Sequence, residues 1–143
     1  MISELATDLN TAAKSVASGA FGTAPVRVGL AVGAKALDPT MQKVATPAAW
    51  IVFTGDQNIS DVEQGECFTS VKMEFIIKVF LDYDTELDLL TNQYPVLNEL
   101  ITTINGRQGP AGSKRWKYEG QSLDELTGNR VVFDQRYSIV ASL

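Results

Sequence analysis

The chain has 143 residues, with 12 basic and 17 acidic side chains, no histidine and a formal net charge of -5. Hydrophobic residues make up 45% and charged residues 20%, which excludes a mainly disordered chain. The acidic balance argues against a general nucleic-acid binder, because neutralising phosphates needs a surplus of Lys and Arg over a face.

One domain, residues 1–143, is expected at this length, large enough to hold a core without staples. The one cysteine, Cys67, cannot form an internal disulfide, and it falls on the apolar side of a strand, so it reads as a small packed hydrophobe. There is no run of roughly 18 apolar residues and no charged segment leading into an apolar one. Neither a membrane span nor a signal peptide is expected, and folding in a cytoplasm is.

Residues 2 to 17 place Ile2, Leu5, Leu9, Ala12, Ala13 and Val16 at helical spacing, an amphipathic helix that Ser18-Gly19 ends. Its small residues let it lie close to a sheet. Pro25 then opens a strand in which Val26, Val28, Leu30 and Val32 share one side, and residues 34 to 46 read as an exposed excursion. Pro47 to Phe53 is a short apolar strand closed by the turn residues Thr54, Gly55 and Asp56, and residues 55 to 65 read as a polar loop.

The longest signal is Glu66 to Asp82. Odd positions from Val71 to Leu81 are all apolar, while Ser70, Lys72, Glu74 and Lys78 lie on the even face. Phe68, Ile76 and Phe80 also lie on that face, so parts of it should meet a second helix or another protein. Glu86 to Asn105 follows as a helix with a weak Thr85-x-x-Asp88 capping box, Gly106 as its C-terminal signal, and Pro95 kinking or splitting it near residue 94. Leu87, Leu90, Tyr94, Leu97, Ile101 and Ile104 form the stripe expected to pack on the sheet. Residues 107 to 113 read as a flexible connection, Lys114 to Gly120 as a strand, Gln121 to Asn129 as a polar turn, and Arg130 to Val140 as a closing strand.

Every chemical motif that the sequence suggests fails on spacing or composition. Gly29, Gly33 and Lys35 lack the spacing of a phosphate loop, and Asp56, Asp61, Glu63 and Glu66 lack the ligand order of a calcium loop. The carboxylates of Asp82, Asp84, Glu86 and Asp88 stand at a helix start, where the dipole explains them, and no histidine completes a site. Lys114, Arg115 and Lys117, interleaved with Trp116 and Tyr118, could stack single-stranded nucleic acid, but three charges are few and a protein interface fits better. With no nucleophile elbow or convergent titratable set, the expectation is no catalytic residue, no cofactor and no metal.

The N-terminal helix, the segments PAAWIVFTGD and VKMEFIIKVFLDYD, a helix ending in INGRQG, and the closing KRWKYEGQSLDELTGNRVVFDQRYSIV together resemble the tail terminator proteins of Mu-like contractile-tailed bacteriophages. The resemblance spans nearly the whole chain and rests on strand and helix patterns. It implies an α+β fold, an antiparallel or mixed sheet of about four to five strands flanked by two or more helices. It further implies a virion protein that forms a homohexameric ring at the head-proximal end of the tail. There the ring stops growth of the tail tube and sheath and offers a joining surface to a neck or head-completion protein. No membrane and no direct nucleic-acid recognition are implied, although DNA passes through such a ring. A ring closes by contact between unlike faces, so Lys114, Arg115 and Lys117 against Asp82, Asp84 and Glu86 are the candidate subunit interface. Another neck or tail adaptor, a small ligand-binding module or a hydrolase are the alternatives.

Overall fold

The described residues, 2–16, 26–30, 48–59 and 70–142 of a computed structural model, form a five-stranded sheet with helices packed on one face. The strands are β1 (Val26–Leu30), β2 (Ala48–Asn58), β3 (Ser70–Asp82), β4 (Lys117–Thr127) and β5 (Arg130–Ser142), in the spatial order β1-β2-β3-β5-β4. β1 runs parallel to β2, and all other neighbours are antiparallel. Helix α1 spans Ile2–Lys14 and helix α2 spans Tyr94–Ile104. The fold is α+β with a mixed sheet, as expected.

The alternation in β3 sets the core. Val71, Met73, Phe75, Ile77, Val79 and Leu81 are each 4% exposed or less, and they meet Leu5, Leu9, Ala12 and Ala13 of α1 and Leu97, Leu100 and Ile104 of α2. Alanines at the contact let α1 approach the strands closely. Phe75 sits at the centre, its ring centroid 5.6 Å from Trp116 in an edge-on arrangement and 5.4 Å from Phe53, the geometry that the aromatic quadrupole favours.

On the opposite face, Phe80 packs with Ala48, Val132 and Trp50 in a small cluster of its own. The sheet therefore covers part of its own even face, and Ile76 is half-buried there. Cys67, Phe68, Gly33, Lys35, Asp61, Glu63, Glu66 and the excursion at 34 to 46 lie outside the described residues, and Asp56 is an exposed strand residue.

Four local expectations are corrected. β2 does not stop at the turn-like Thr54-Gly55-Asp56, because the long β3 offers partners as far as Asn58 and a bulge between Phe53 and Gly55 absorbs one residue. Gln121 to Thr127 is strand rather than turn: β5 pairs with it except at Asp124, which a bulge leaves out of register, and only Gly128 and Asn129 form the hairpin turn. Gly128, at φ +58 in the first central position, supplies the backbone that a two-residue primed turn needs. Residues 107 to 113 are pinned rather than flexible, since Trp116 donates to the Arg107 carbonyl at 2.9 Å, Gly109 to Lys114 at 3.0 Å and Ser142 to Gly112 at 2.9 Å. Finally, the stripe of the second helix is only partly covered: Leu97 and Ile104 are buried, but Leu87 is 72% and Leu90 61% exposed.

At Pro95 the helix changes type rather than stopping. An α-helical turn, Glu86–Asp88, passes into a π-helical segment, Leu89–Gln93, and then into α2, which carries Pro95 in its first turn. The start is capped as expected, the Asp88 N–H donating to Thr85 Oγ1 at 3.1 Å while Asp88 Oδ2 accepts from the Asp84 N–H at 3.0 Å.

Candidate functional site

The acidic and basic segments stand at opposite ends of the sheet. Asp82 is in register with Arg130 at the end of β3, whereas Lys117 is in register with Ser138, which pairs with Glu74. From Glu74 to Asp82 is about 26 Å at ~3.3 Å per residue, so the two segments do not meet within one chain.

The basic segment is held rigidly. Trp116 is 1% exposed and its indole donates to Asp8 Oδ2 at 2.7 Å, while Arg107 donates to both oxygens of the same carboxylate at 3.1 and 3.4 Å. Asp8 thus ties α1 to the loop that carries Lys114 and Arg115. Close packing also fixes that loop, because a Cβ at Gly109 would collide with the Ile139 side chain, Ser113 Oγ and, at 2.9 Å, the Lys114 carbonyl. Arg115 donates to the Gly106 carbonyl at 2.8 Å, and Gly106 has the left-handed φ of +83 expected just past a helix end. Among the described residues, neither Lys114 nor Arg115 pairs with a carboxylate, and both are exposed.

The acidic residues differ from one another. Asp82 is already engaged, accepting from Arg130 Nε at 2.7 Å and Nη2 at 3.2 Å. Asp84 and Glu86 are exposed, and neither carboxylate forms an ion pair among the described residues. Asp88 is held below the usual carboxylate range by hydrogen bonds from the Asn92 side chain and the Asp84 backbone.

Between these ends, the face of the sheet opposite the helices carries a lattice of charges that pattern reading did not find. β4 has two bulges, at Tyr118/Gly120 and Leu123/Glu125, and each leaves an acid without a register partner. Both acids reach a lysine of β3 across β5: Glu119 lies 3.5 Å from Lys72, and Asp124 3.1 Å from Lys78. Lys117 lies 3.9 Å from Glu119. The Ser138 hydroxyl, donating at 2.6 Å, with Lys72 and Lys117 in support, lowers the Glu119 pKa. Burial pulls Lys78 down, but Asp134 at 2.8 Å and Asp124 outweigh it and raise its pKa. Arg136 lies over Gly120 and donates to Ser122 Oγ at 3.1 Å. Alternation from Lys114 to Gly120 does put Glu119 on the side of Lys117, away from Trp116 and Tyr118, but Asp124 falls in the stretch that reads as a turn, and spacing within one strand cannot reveal that both acids reach β3.

Inside the core, Gln135 is fully buried and fully used: its amide donates to the Leu97 carbonyl and to Gln121 Oε1, both at 3.1 Å, and its Oε1 accepts from the Tyr137 hydroxyl at 2.8 Å. Burial pushes the Tyr137 hydroxyl pKa far up, with the Tyr118 hydroxyl adding to it, so it stays a donor. Among the described residues, no three His, Cys, Asp or Glu side chains gather as metal ligands, and a shallow groove between α1 and Pro110 is open and lined by Thr7, Asp8 and Thr11.

No protein-family model matches the sequence, and no curated protein does. The fold itself has a solved counterpart. A chain from the structure titled "Virion of native gene transfer agent (GTA) particle" superposes with a TM-score of 0.65, covering 99% of this chain and 97% of its own length at 11% identity. At that identity it is a likeness of fold.

Proposed function

We propose that this chain is a virion structural protein, a tail terminator that closes into a ring of about six copies at the head-proximal end of a tail. The observation that carries the reading is end-to-end fold similarity to a chain of a virion particle, 99% of one chain against 97% of the other. The pattern resemblance to tail terminators of Mu-like phages points the same way. A clean split of unpaired charge is in keeping with contact between unlike faces: Lys114 and Arg115 at one end of the sheet, Asp84 and Glu86 at the other. Because Asp82 is bound to Arg130 and Lys117 lies near Glu119, these four carry the proposed subunit contact, with Asp82 and Lys117 beside them. The partners are other copies of the chain, the tail tube and sheath, and a neck or head-completion protein.

Imaging the purified protein by negative stain, alone and mixed with tail tubes, tests this. Closed rings, or caps on tube ends that stop further growth, are the expected result. A protein that stays monomeric and leaves tube growth unchanged sinks the reading.

A further inference from the structure

Four large apolar side chains remain in solvent near one corner of the fold: Leu87 at 72%, Leu90 at 61%, Leu123 at 53% and Leu126 at 58% exposed. Helical spacing puts Leu87 and Leu90 on the stripe that continues through Tyr94, and Tyr94 packs edge-on against Phe133 at 5.7 Å. Phe133 is in register with Leu123, and Val131 with Leu126. Tyr83 closes the corner, its N–H donating to the Asn129 carbonyl at 2.9 Å and its hydroxyl to the Gly128 carbonyl at 3.4 Å. Tyr83, three residues before the helical segment, thus ties its lead-in to the tip of the β4–β5 hairpin, and Tyr94 at the segment's far end reaches Phe133, the register partner of Leu123. Such a grouped, polar-rimmed patch marks a contact surface, whereas scattered exposed leucines would not.

We propose that this leucine corner is the apolar centre onto which a second copy of the chain docks with its basic corner; the inference rests on the ring reading and assigns the surfaces. The rim selects the occupant. Asp84 and Glu86 are exposed beside Leu87, while Lys114 and Arg115, without carboxylate partners among the described residues, flank Pro110 and Ala111 in the pinned loop at the other end of the sheet. Charges of opposite sign with apolar surface between them give the complementarity that fixes register. The two bulges of β4 twist its edge out of line for strand addition, so the contact is made by side chains.

Sedimentation velocity on wild type, Leu123→Ser/Leu126→Ser and Leu87→Ser/Leu90→Ser provides the test, with circular dichroism confirming the fold. Both pairs are expected to abolish the oligomer while leaving the thermal midpoint unchanged. In a Cys67→Ser background, Leu126→Cys and Arg115→Cys subunits are expected to form a disulfide-linked dimer only when mixed. An associated wild type whose folded leucine variants keep its mass overturns this assignment and leaves the ring reading standing; self-linking of Leu126→Cys alone also overturns it. A wild type that is monomeric with and without tail tubes removes both.

Discussion

Phe75 shows how much of the core was legible residue by residue. It falls in an unbroken run of apolar odd positions, and the structure leaves it 1% exposed between two aromatic rings. Phe75→Ala is expected to cost about 3–5 kcal/mol, read as a lower midpoint in urea unfolding, because both the transfer energy and the cavity count. Gln135 occupies the same face of β5 and could not be read so, since nothing in the sequence reveals that a carbonyl of α2 and a glutamine of β4 converge to satisfy its amide. Lys78 was legible as polar-facing but not as bridging two acids. Its folded-state pKa is raised, so its stabilisation is complete below the unfolded value of about 10.4 and is lost as pH rises through the folded value. Lys78→Met should lower stability at pH 7 by about 1–3 kcal/mol, since it strands Asp134 and Asp124. It should also remove the alkaline loss, so melting curves from pH 8 to 11 should converge with those of wild type at the upper end. Parallel curves would mean that the bridge contributes nothing.

At the scale of elements, success followed burial. β3 is covered by α1 and α2 on one face, and its alternation is clean; β4 is an edge strand whose residues 121 to 127 are exposed on both faces, so no hydrophobic period survives to announce it. The helix stripe failed in the opposite sense. Leu87 and Leu90 obey the same spacing as the buried Leu97 and Ile104, and spacing cannot tell where the sheet beneath them ends. The loop after α2 looked flexible because Gly109, Pro110 and Gly112 are common in linkers. Yet Gly109 is there for close approach, with Ile139, Ser113 and the Lys114 carbonyl in the way of any side chain. Gly109→Ala should therefore destabilise the protein by about 1–3 kcal/mol, the usual cost of overpacking. Faster amide exchange at Lys114 and Trp116 should accompany it. An unchanged melting temperature would show that the loop gives way freely.

For the whole molecule, assembly in the proposed ring rests on the leucine corner and on the placement of unpaired charge around it. An exposed pair contributes only about 0.2–1 kcal/mol, so one contact between Lys114 or Arg115 and Asp84 or Glu86 of a neighbour would hardly be measurable. Closure multiplies it, because every subunit repeats the contact and the last one formed is intramolecular. Lys114→Glu/Arg115→Glu should therefore reduce the oligomer strongly; within the chain it removes the exposed bond from Arg115 to the Gly106 carbonyl and no ion pair among the described residues, so circular dichroism should still report a folded monomer. Raising the salt concentration should weaken wild type in the same direction, because the pairs are solvent-exposed and screened. The decisive arm is rescue: combining the reversal with Asp84→Lys/Glu86→Lys exchanges the signs of both surfaces and should restore assembly that either double variant alone has lost. Tails assembled with the Lys114→Glu/Arg115→Glu protein should be overlong or fail to join heads, and those assembled with the fourfold exchange should return towards normal length. If the reversal alone keeps full-size rings at low salt, these charges do not form the contact; if it dissociates them but the exchange brings no recovery, the basic corner binds something other than Asp84 and Glu86.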